Sequence, residues 1–348
     1  MRFAPTEDQL AFASAMRELL EGECPPDVVR AAWDGGDTAA LWAHLSGMGV
    51  VGALAPEGLG GSGMDEVDLT VLLVEAGRAA VPVPLNDVAM VAVPALRDHA
   101  RTASTGESDA EAILAAICSG EAAVAVGLAV DRDGAGDSTT VLVDGAAGAR
   151  WFLLESTDGL HLVDPDVVEI EPVPSADGAL GVGAVSWTPS PATRLVDAPV
   201  AAASALDRAA LGSAAQLCGL ADRMVELTVG YVAERRQFGQ PIGSFQAVQH
   251  RLADALLSVS FARPLVLRAA VSVATGDPLA SVHVSMAKAS ASDAAETVAA
   301  AALQCHGAIG YTTEYELHLF MQRAWWLARR HGGAAWHRRR VQSHLLGP

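Results

Sequence analysis

From residue 6 to about residue 120 apolar side chains recur at helical spacing. Leu10, Phe12, Ala13, Met16, Leu19 and Leu20 fall on one helical face, and Trp42, Leu45 and Met48 on a second. Thr6 stands where a helix N-cap belongs, with Asp8 in the first turn, where negative charge favours the dipole. Residues 49–63, rich in Gly and carrying Pro56, interrupt the periodicity and predict a shaped loop. A long helix is expected over 65–79, stopped by Pro82 and Pro84.

From 122 to 200 the helical period fades. Short β-like runs at 139–143, 151–154, 160–163 and 167–170 alternate with Asp144-Gly145, Asp158-Gly159 and Asp177-Gly178. Asp-Gly between apolar runs is a hairpin signal, so a small antiparallel β-domain is predicted. From Ser204 the helical period returns. Ser204 followed by Asp207 has the form of a capping box. One helix is expected to about 237, ended by Gly239, Pro241 and Gly243; a second covers 245–274 and a third 279–305. A fourth begins near Tyr311 and carries Leu317, Phe320, Met321 and Trp325. Long apolar helices joined by short turns predict a bundle. The chain therefore reads as α+β, mainly α: a helical domain (1–121), a shortened β-domain (122–200) and a C-terminal four-helix bundle (201–348).

Composition narrows the function. The 348 residues are 51% hydrophobic and 18% charged, enough for large cores and two or three domains. A formal net charge of -18 argues against a nucleic-acid partner, because phosphate binding needs clustered cations. Arg323, Arg329, Arg330, Arg338, Arg339 and Arg340 crowd the C-terminal region, where they suit solvated helix ends or, alternatively, contact with a ligand phosphate or a partner's acidic surface. Cys24, Cys118, Cys218 and Cys305 show no CxxC spacing and are expected to be buried, reduced thiols. No metal site is expected. Charges interrupt the Ala-rich helices, so no membrane span is expected, and the acidic start lacks the apolar core of a signal peptide. The expected location is the cytoplasm. The chain's one lysine, Lys288, fits a compositional bias against lysine more than a functional role.

Two stretches carry the chemistry. The first, Glu234-Arg235-Arg236-Gln237-Phe238-Gly239-Gln240-Pro241-Ile242-Gly243-Ser244-Phe245-Gln246, joins two helices. The second, Gln304-Cys305-His306-Gly307-Ala308-Ile309-Gly310-Tyr311, closes the third predicted helix. Taken singly, Arg235 and Arg236 resemble a solvated helix end, and Gln304 with Gly307 an ordinary helix stop. Taken jointly, with the loop Pro56-Glu57-Gly58-Leu59-Gly60-Gly61 far upstream, they resemble the acyl-CoA dehydrogenase family over nearly the whole chain.

That resemblance implies an FAD-dependent oxidoreductase that desaturates an acyl-CoA thioester between its α and β carbons. Electron-transfer flavoprotein is the family's usual acceptor. Carried over by position, Arg235 falls on the arginine at the FAD pyrophosphate, Phe238 on the aromatic near the adenine end, and Gln246 on a glutamine there. Gln304 and Gly307 match residues lining the same end. In the family this end of the cofactor is held by the bundle of a neighbouring subunit.

The resemblance also exposes losses. The usual catalytic glutamate position holds His331, followed by Gly332 and Gly333. The alternative position on the first bundle helix falls near Ala209 and Ala210, with Asp207 about half a turn away. The stretch 122–136 offers no Ser or Thr to grip a flavin ring. His331 is the one candidate base, since neighbouring Arg329 and Arg330 favour its neutral form.

The sequence thus predicts a subunit that binds the ADP end of a shared FAD, while a homologous full-length acyl-CoA dehydrogenase chain supplies the base. Heterotetramers of this kind take bulky acyl groups such as steroid side chains. The alternatives are a self-sufficient homotetramer with a non-standard base and a flavin-free structural family member.

Overall fold

The computed structural model describes residues 4–102, 110–130, 140–197 and 199–347. The first residue of the strand expected at 139–143, and residues 131–136 of the stretch without Ser or Thr, lie outside the described residues. Residue contacts divide the chain into two units, one of residues 1–30, 70–81 and 210–348, the other of 31–69 and 82–209.

Helix α1 (Glu7–Glu23) opens with a reciprocal capping box, in which the Thr6 hydroxyl accepts from the Gln9 N–H and the Gln9 side chain accepts from the Thr6 N–H. Its buried line is Ala13, Met16 and Leu20. Leu10, placed on that face by periodicity, is 54% exposed. Then come α2 (Pro26–Trp33), α3 (Ala39–Gly47), a 3-10 turn at Glu57–Leu59 in the predicted loop, and α4 (Glu66–Arg78). A π-helical turn, Asp87–Ala92, leads into α5 (Val93–Thr102), and α6 (Ala110–Cys118) follows.

The β region holds β1 (Val124–Gly127), β2 (Val141–Val143), β3 (Trp151–Ser156), β4 (Gly159–Val163), β5 (Glu169–Pro172), β6 (Gly183–Ser186) and β7 (Arg194–Asp197). One sheet runs β1-β3-β4-β7 and the other β2-β6-β5. The prediction of an antiparallel domain needs one correction: β1 pairs with β3 in parallel, Val124 opposite Trp151. Of the three Asp-Gly signals only Asp158-Gly159 makes a tight hairpin, with Ser156 opposite Gly159. The other two lead into 3-10 turns at Ala146–Gly148 and Gly178–Leu180. Phe152, Leu154, Val163, Val185 and Trp187 are buried together as the core of this region.

The C-terminal helices are α7 (Pro199–Glu234), then a two-stranded hairpin of β8 (Arg236–Gln237) and β9 (Gln240–Pro241), α8 (Gln246–Ala274), α9 (Ala280–His306), α10 (Leu317–Arg329) and α11 (Ala334–Leu346). Three expectations are corrected here. Helix α7 starts at Pro199, so Ser204 is interior and its hydroxyl accepts from Arg208 (2.5 Å) rather than capping. The residues after Gly307 form a 3-10 turn to Tyr311, and α10 begins only at Leu317. Last, the Arg-rich end is a helix of its own, α11.

Helices α4 and α7 cross at glycines. A Cβ on Gly77 would collide with the Gln216 backbone, and one on Gly219 with the carbonyl of Val74. Side chains larger than hydrogen would force the axes apart, so this pair of positions fixes where α7 runs.

Helix α8 is long and apolar enough to cross a membrane by length and composition, with 33% of its most apolar window buried. It nevertheless packs within the bundle, burying Ala255, Val259, Ala262, Val266 and Ala269. Arg263 pairs with Asp222 of α7 and Arg268 with Asp277. Its remaining face leaves Leu256, Leu257 and Phe261 exposed, the last at 72%.

Candidate functional site

Helix α7 stops at Glu234, although the Arg235 N–H still donates to the Tyr231 carbonyl at 2.9 Å. The hairpin then turns over Phe238 and Gly239, whose φ angles are +53° and +82°. Two successive left-handed residues are what a tight hairpin needs, and an aromatic at the first is strained. The Arg236 guanidinium donates to the Gly239 carbonyl at 3.1 Å, and the Ile242 N–H donates to the Arg235 carbonyl at 2.8 Å. The result is a hydrogen-bonded tip that holds Phe238 92% exposed, edge-on to Phe245 with centroids 6.2 Å apart. Arg235 and Gln246, the first residue of α8, are exposed beside it in sequence.

The second motif closes α9. Gln304 lies exposed in its last turn. Gly307 ends the helix at φ +62°, ψ −136°, its N–H donating to Leu303, and open space lies around the position of its missing Cβ. The two motifs meet through aromatic rings. Tyr231 of α7 stacks on His306 of α9 at 4.4 Å and 23°, and Tyr315 closes on His306 at 4.9 Å. The Tyr231 hydroxyl donates to the His306 carbonyl at 3.4 Å.

These residues fit the nucleotide end of FAD. A guanidinium offers a donor fork for phosphate, two glutamines offer amides for a base or ribose, and an exposed phenyl offers a face for adenine. Open space at Gly307 lets backbone approach a ligand closely. Where the resemblance would place hydroxyl groups for the flavin ring, the described residues offer none. Residues 124–127 form the buried strand β1, and residues 122–130 contain no hydroxyl side chain.

His331 lies elsewhere in the same unit. It is 1% exposed, with φ +57°. Its Nδ1 lies 2.9 Å from the Ser213 hydroxyl on α7, and its carbonyl accepts from His337 Nε2 at 3.0 Å. Burial, helped by Arg330, Lys288 and His337, pushes its pKa well below the ordinary histidine value. The ring is therefore neutral, as anticipated, but is enclosed by protein. At the alternative base position Ala209 and Ala210 are fully buried, and Asp207 is 7% exposed.

Sequence reasoning passed over the residue at the centre of this cluster. Lys288, dismissed as a compositional remnant, is 0% exposed on α9. Its ammonium donates to Ser292 Oγ (3.2 Å), the Ala328 carbonyl (3.1 Å) and the Gly332 carbonyl (3.0 Å). Burial pushes its pKa down to about 7. His337 of α11, Nδ1 3.2 Å from Ser285 Oγ, is pushed down to about 3, also chiefly by burial. Together these groups lock the turn from α10 to α11. A lone lysine within an Ala/Ser-rich helix was the available signal.

All four cysteines are free and buried, and burial lifts Cys24 and Cys218 to about 12, as reduced structural thiols should be. Among the described residues no group of His, Cys, Asp and Glu could hold a metal ion.

Comparison with known proteins agrees with this geometry. Residues 6–121 match the N-terminal domain of acyl-CoA dehydrogenases, and residues 200–346 match their C-terminal domain. Acyl-CoA dehydrogenase IpdE2 of Mycobacterium tuberculosis is 31% identical over 332 residues, covering 92% of either chain. A chain of the ChsE4-ChsE5 complex from the same organism superposes with TM-score 0.87 at 26% identity, covering 100% of each chain. A chain of the Tcur3481-Tcur3483 steroid ACAD superposes with TM-score 0.85 at 26% identity, covering 97% of this chain and 98% of that one. Helical domain, β region and bundle follow in the family's order, both of its domain signatures are present, and the likeness runs nearly end to end: the chain belongs to the acyl-CoA dehydrogenase family.

Proposed function

We propose that this chain is one subunit of a heteromeric acyl-CoA dehydrogenase, holding the ADP end of an FAD whose ring sits in a homologous partner chain. The observation that carries the reading is a contrast within one unit. Arg235, Phe238, Gln246, Gln304 and Gly307 all face solvent, while His331 at the family's base position is 1% exposed. A chain that worked alone would need the reverse, a base open to substrate.

In the assembled enzyme FAD supplies the acceptor for the β-hydride of the acyl thioester. Arg235 binds pyrophosphate oxygens through its two-pronged donor face and offsets their charge. Phe238 gives the adenine a face to lie on, and Gln246 and Gln304 orient that end by hydrogen bonds. The left-handed tip keeps Phe238 extended before the cofactor arrives, which lowers the ordering cost of binding. The α-proton leaves to a carboxylate of the partner, because this chain brings none to its own base position. Leu256, Leu257 and Phe261 on α8 offer an apolar face suited to subunit packing. Support for two unlike chains comes from the structural relatives, each named for a pair. The word steroid in one of those names favours a CoA thioester with a bulky, steroid-derived acyl group. Electron-transfer flavoprotein is the proposed acceptor.

The test is co-expression with a homologous chain that carries the glutamate, followed by measurement of flavin per chain. Half a flavin per chain, with this chain colourless when purified alone, is expected. One flavin on each copy of this chain by itself would end the proposal.

A further inference from the structure

Arg235 follows α7, and Gln304 and Gly307 close α9. One ligand can engage both only if the two helix ends keep a fixed spacing. The packing of α8 along α9 brings these ends near one another, and a cluster of three rings ties the end of α7 directly to the end of α9.

His306 is at its centre. The residue is 4% exposed at the last position of α9, directly before Gly307. Its Nδ1 lies 2.8 Å from the Ala302 carbonyl, which must accept, so Nδ1 carries the proton. Nε2 is then a lone-pair nitrogen, buried and with no hydrogen-bond partner among the described residues. Burial pushes the ring's pKa down, which keeps it neutral. One face of the ring stacks on Tyr231, and Tyr315 packs against it at a 46° tilt. Tyr231 in turn binds both sides of the gap: its carbonyl accepts from the Arg235 N–H, and its hydroxyl donates to the His306 carbonyl. The path from Arg235 to Gly307 thus runs Arg235, Tyr231, His306, Gly307, and every step is a bond or a ring contact.

We propose that His306 is a positioning residue for the nucleotide end of the cofactor: packed against Tyr231 and Tyr315, which also meet each other edge-on, it sets the separation of Arg235 from Gln304 and Gly307. It touches no substrate and acts through the residues it spaces. The inference rests on the proposed flavin role of Arg235.

The experiment uses the assembled complex, stripped of flavin and titrated with FAD and, separately, with FMN, which lacks the adenylate half. Loss of two ring contacts in His306→Ala should weaken FAD binding about tenfold, whereas His306→Phe, which keeps the stack, should stay within about threefold. FMN affinity should not change in either variant. A merely structural role would weaken both flavins together. If His306→Ala binds FAD as wild type does, or loses FAD and FMN alike, the positioning role is overturned. Arg235→Ala run in parallel separates the two ideas. If it lowers FAD affinity while His306→Ala does not, only the positioning role fails; if it has no effect, the flavin reading itself fails.

Discussion

Lys288 offers the sharpest physical test, because the chain has no other lysine. Its ammonium is fully enclosed and donates to three neutral oxygens, with no carboxylate bonded to it. Desolvation outweighs those bonds and lowers its pKa from 10.5 to about 7. The sign follows from proton counting. Below pH 7 both folded and unfolded chains hold the proton, and the folded state carries the whole penalty of a buried cation. Between 7 and 10.5 the unfolded chain keeps a proton that the folded chain has released, so stability rises with pH. The slope approaches about 1.4 kcal/mol per pH unit, and integration from pH 7 to 8 gives about 1 kcal/mol. As pH approaches 9 the trend reverses, because all four buried cysteines keep protons in the fold that the unfolded chain loses. Lysine labelled with carbon-13 gives a single side-chain resonance, whose titration should centre near 7. Urea unfolding at pH 7 and 8, under reducing conditions, should show the rise in wild type and its loss in Lys288→Met. A lysine titrating near 10, or a slope that survives in Lys288→Met, would refute the electrostatic account of this cluster.

Further outcomes follow from the same bundle. His331 and His337 both have lowered pKa values, so the unfolded chain takes up protons first as pH falls below 6.5. Stability should then drop by up to about 1.4 kcal/mol per pH unit for each ring, read by denaturant melts from pH 6.5 down to about 4. His331→Gln should leave turnover of the assembled complex within about threefold, whereas loss of a true general base costs a hundredfold or more. A hundredfold loss with the fold intact would restore His331 as the base. Gly219→Ala should destabilise by about 1–3 kcal/mol, since its methyl meets the Val74 carbonyl; an unchanged melting curve would show that the α4–α7 crossing is looser than described.

The parts of this fold legible in the sequence are those governed by neighbours along the chain. Helices α8 and α9 begin and end within a residue of their predicted limits, because Gly276-Asp277-Pro278 punctuates them. The Thr6 cap and the Asp158-Gly159 hairpin were equally local. Features decided at a distance were not legible. The parallel pairing of β1 with β3 depends on a return of the chain that no local signal marks. Ser204 looked like a cap because hydroxyls cap helices, but Arg208 engages it inside a helix that had already started. The residues proposed for the nucleotide end stand out as a motif in the sequence, and the structure adds their common exposure. The Lys288 cluster was not readable, since it joins Ser285, Lys288 and Ser292 of α9 to Ser213 of α7, His331 of the α10–α11 turn and His337 of α11.

The tip at Phe238 has a practical use. Arg235, Arg236 and Phe238 stand together in the open on a short hairpin, within reach of trypsin-like and chymotrypsin-like proteases. Subunit docking would shield the same peptide bonds. Brief digestion followed by a gel would therefore count the copies still waiting for a companion, in crude extract and without substrate.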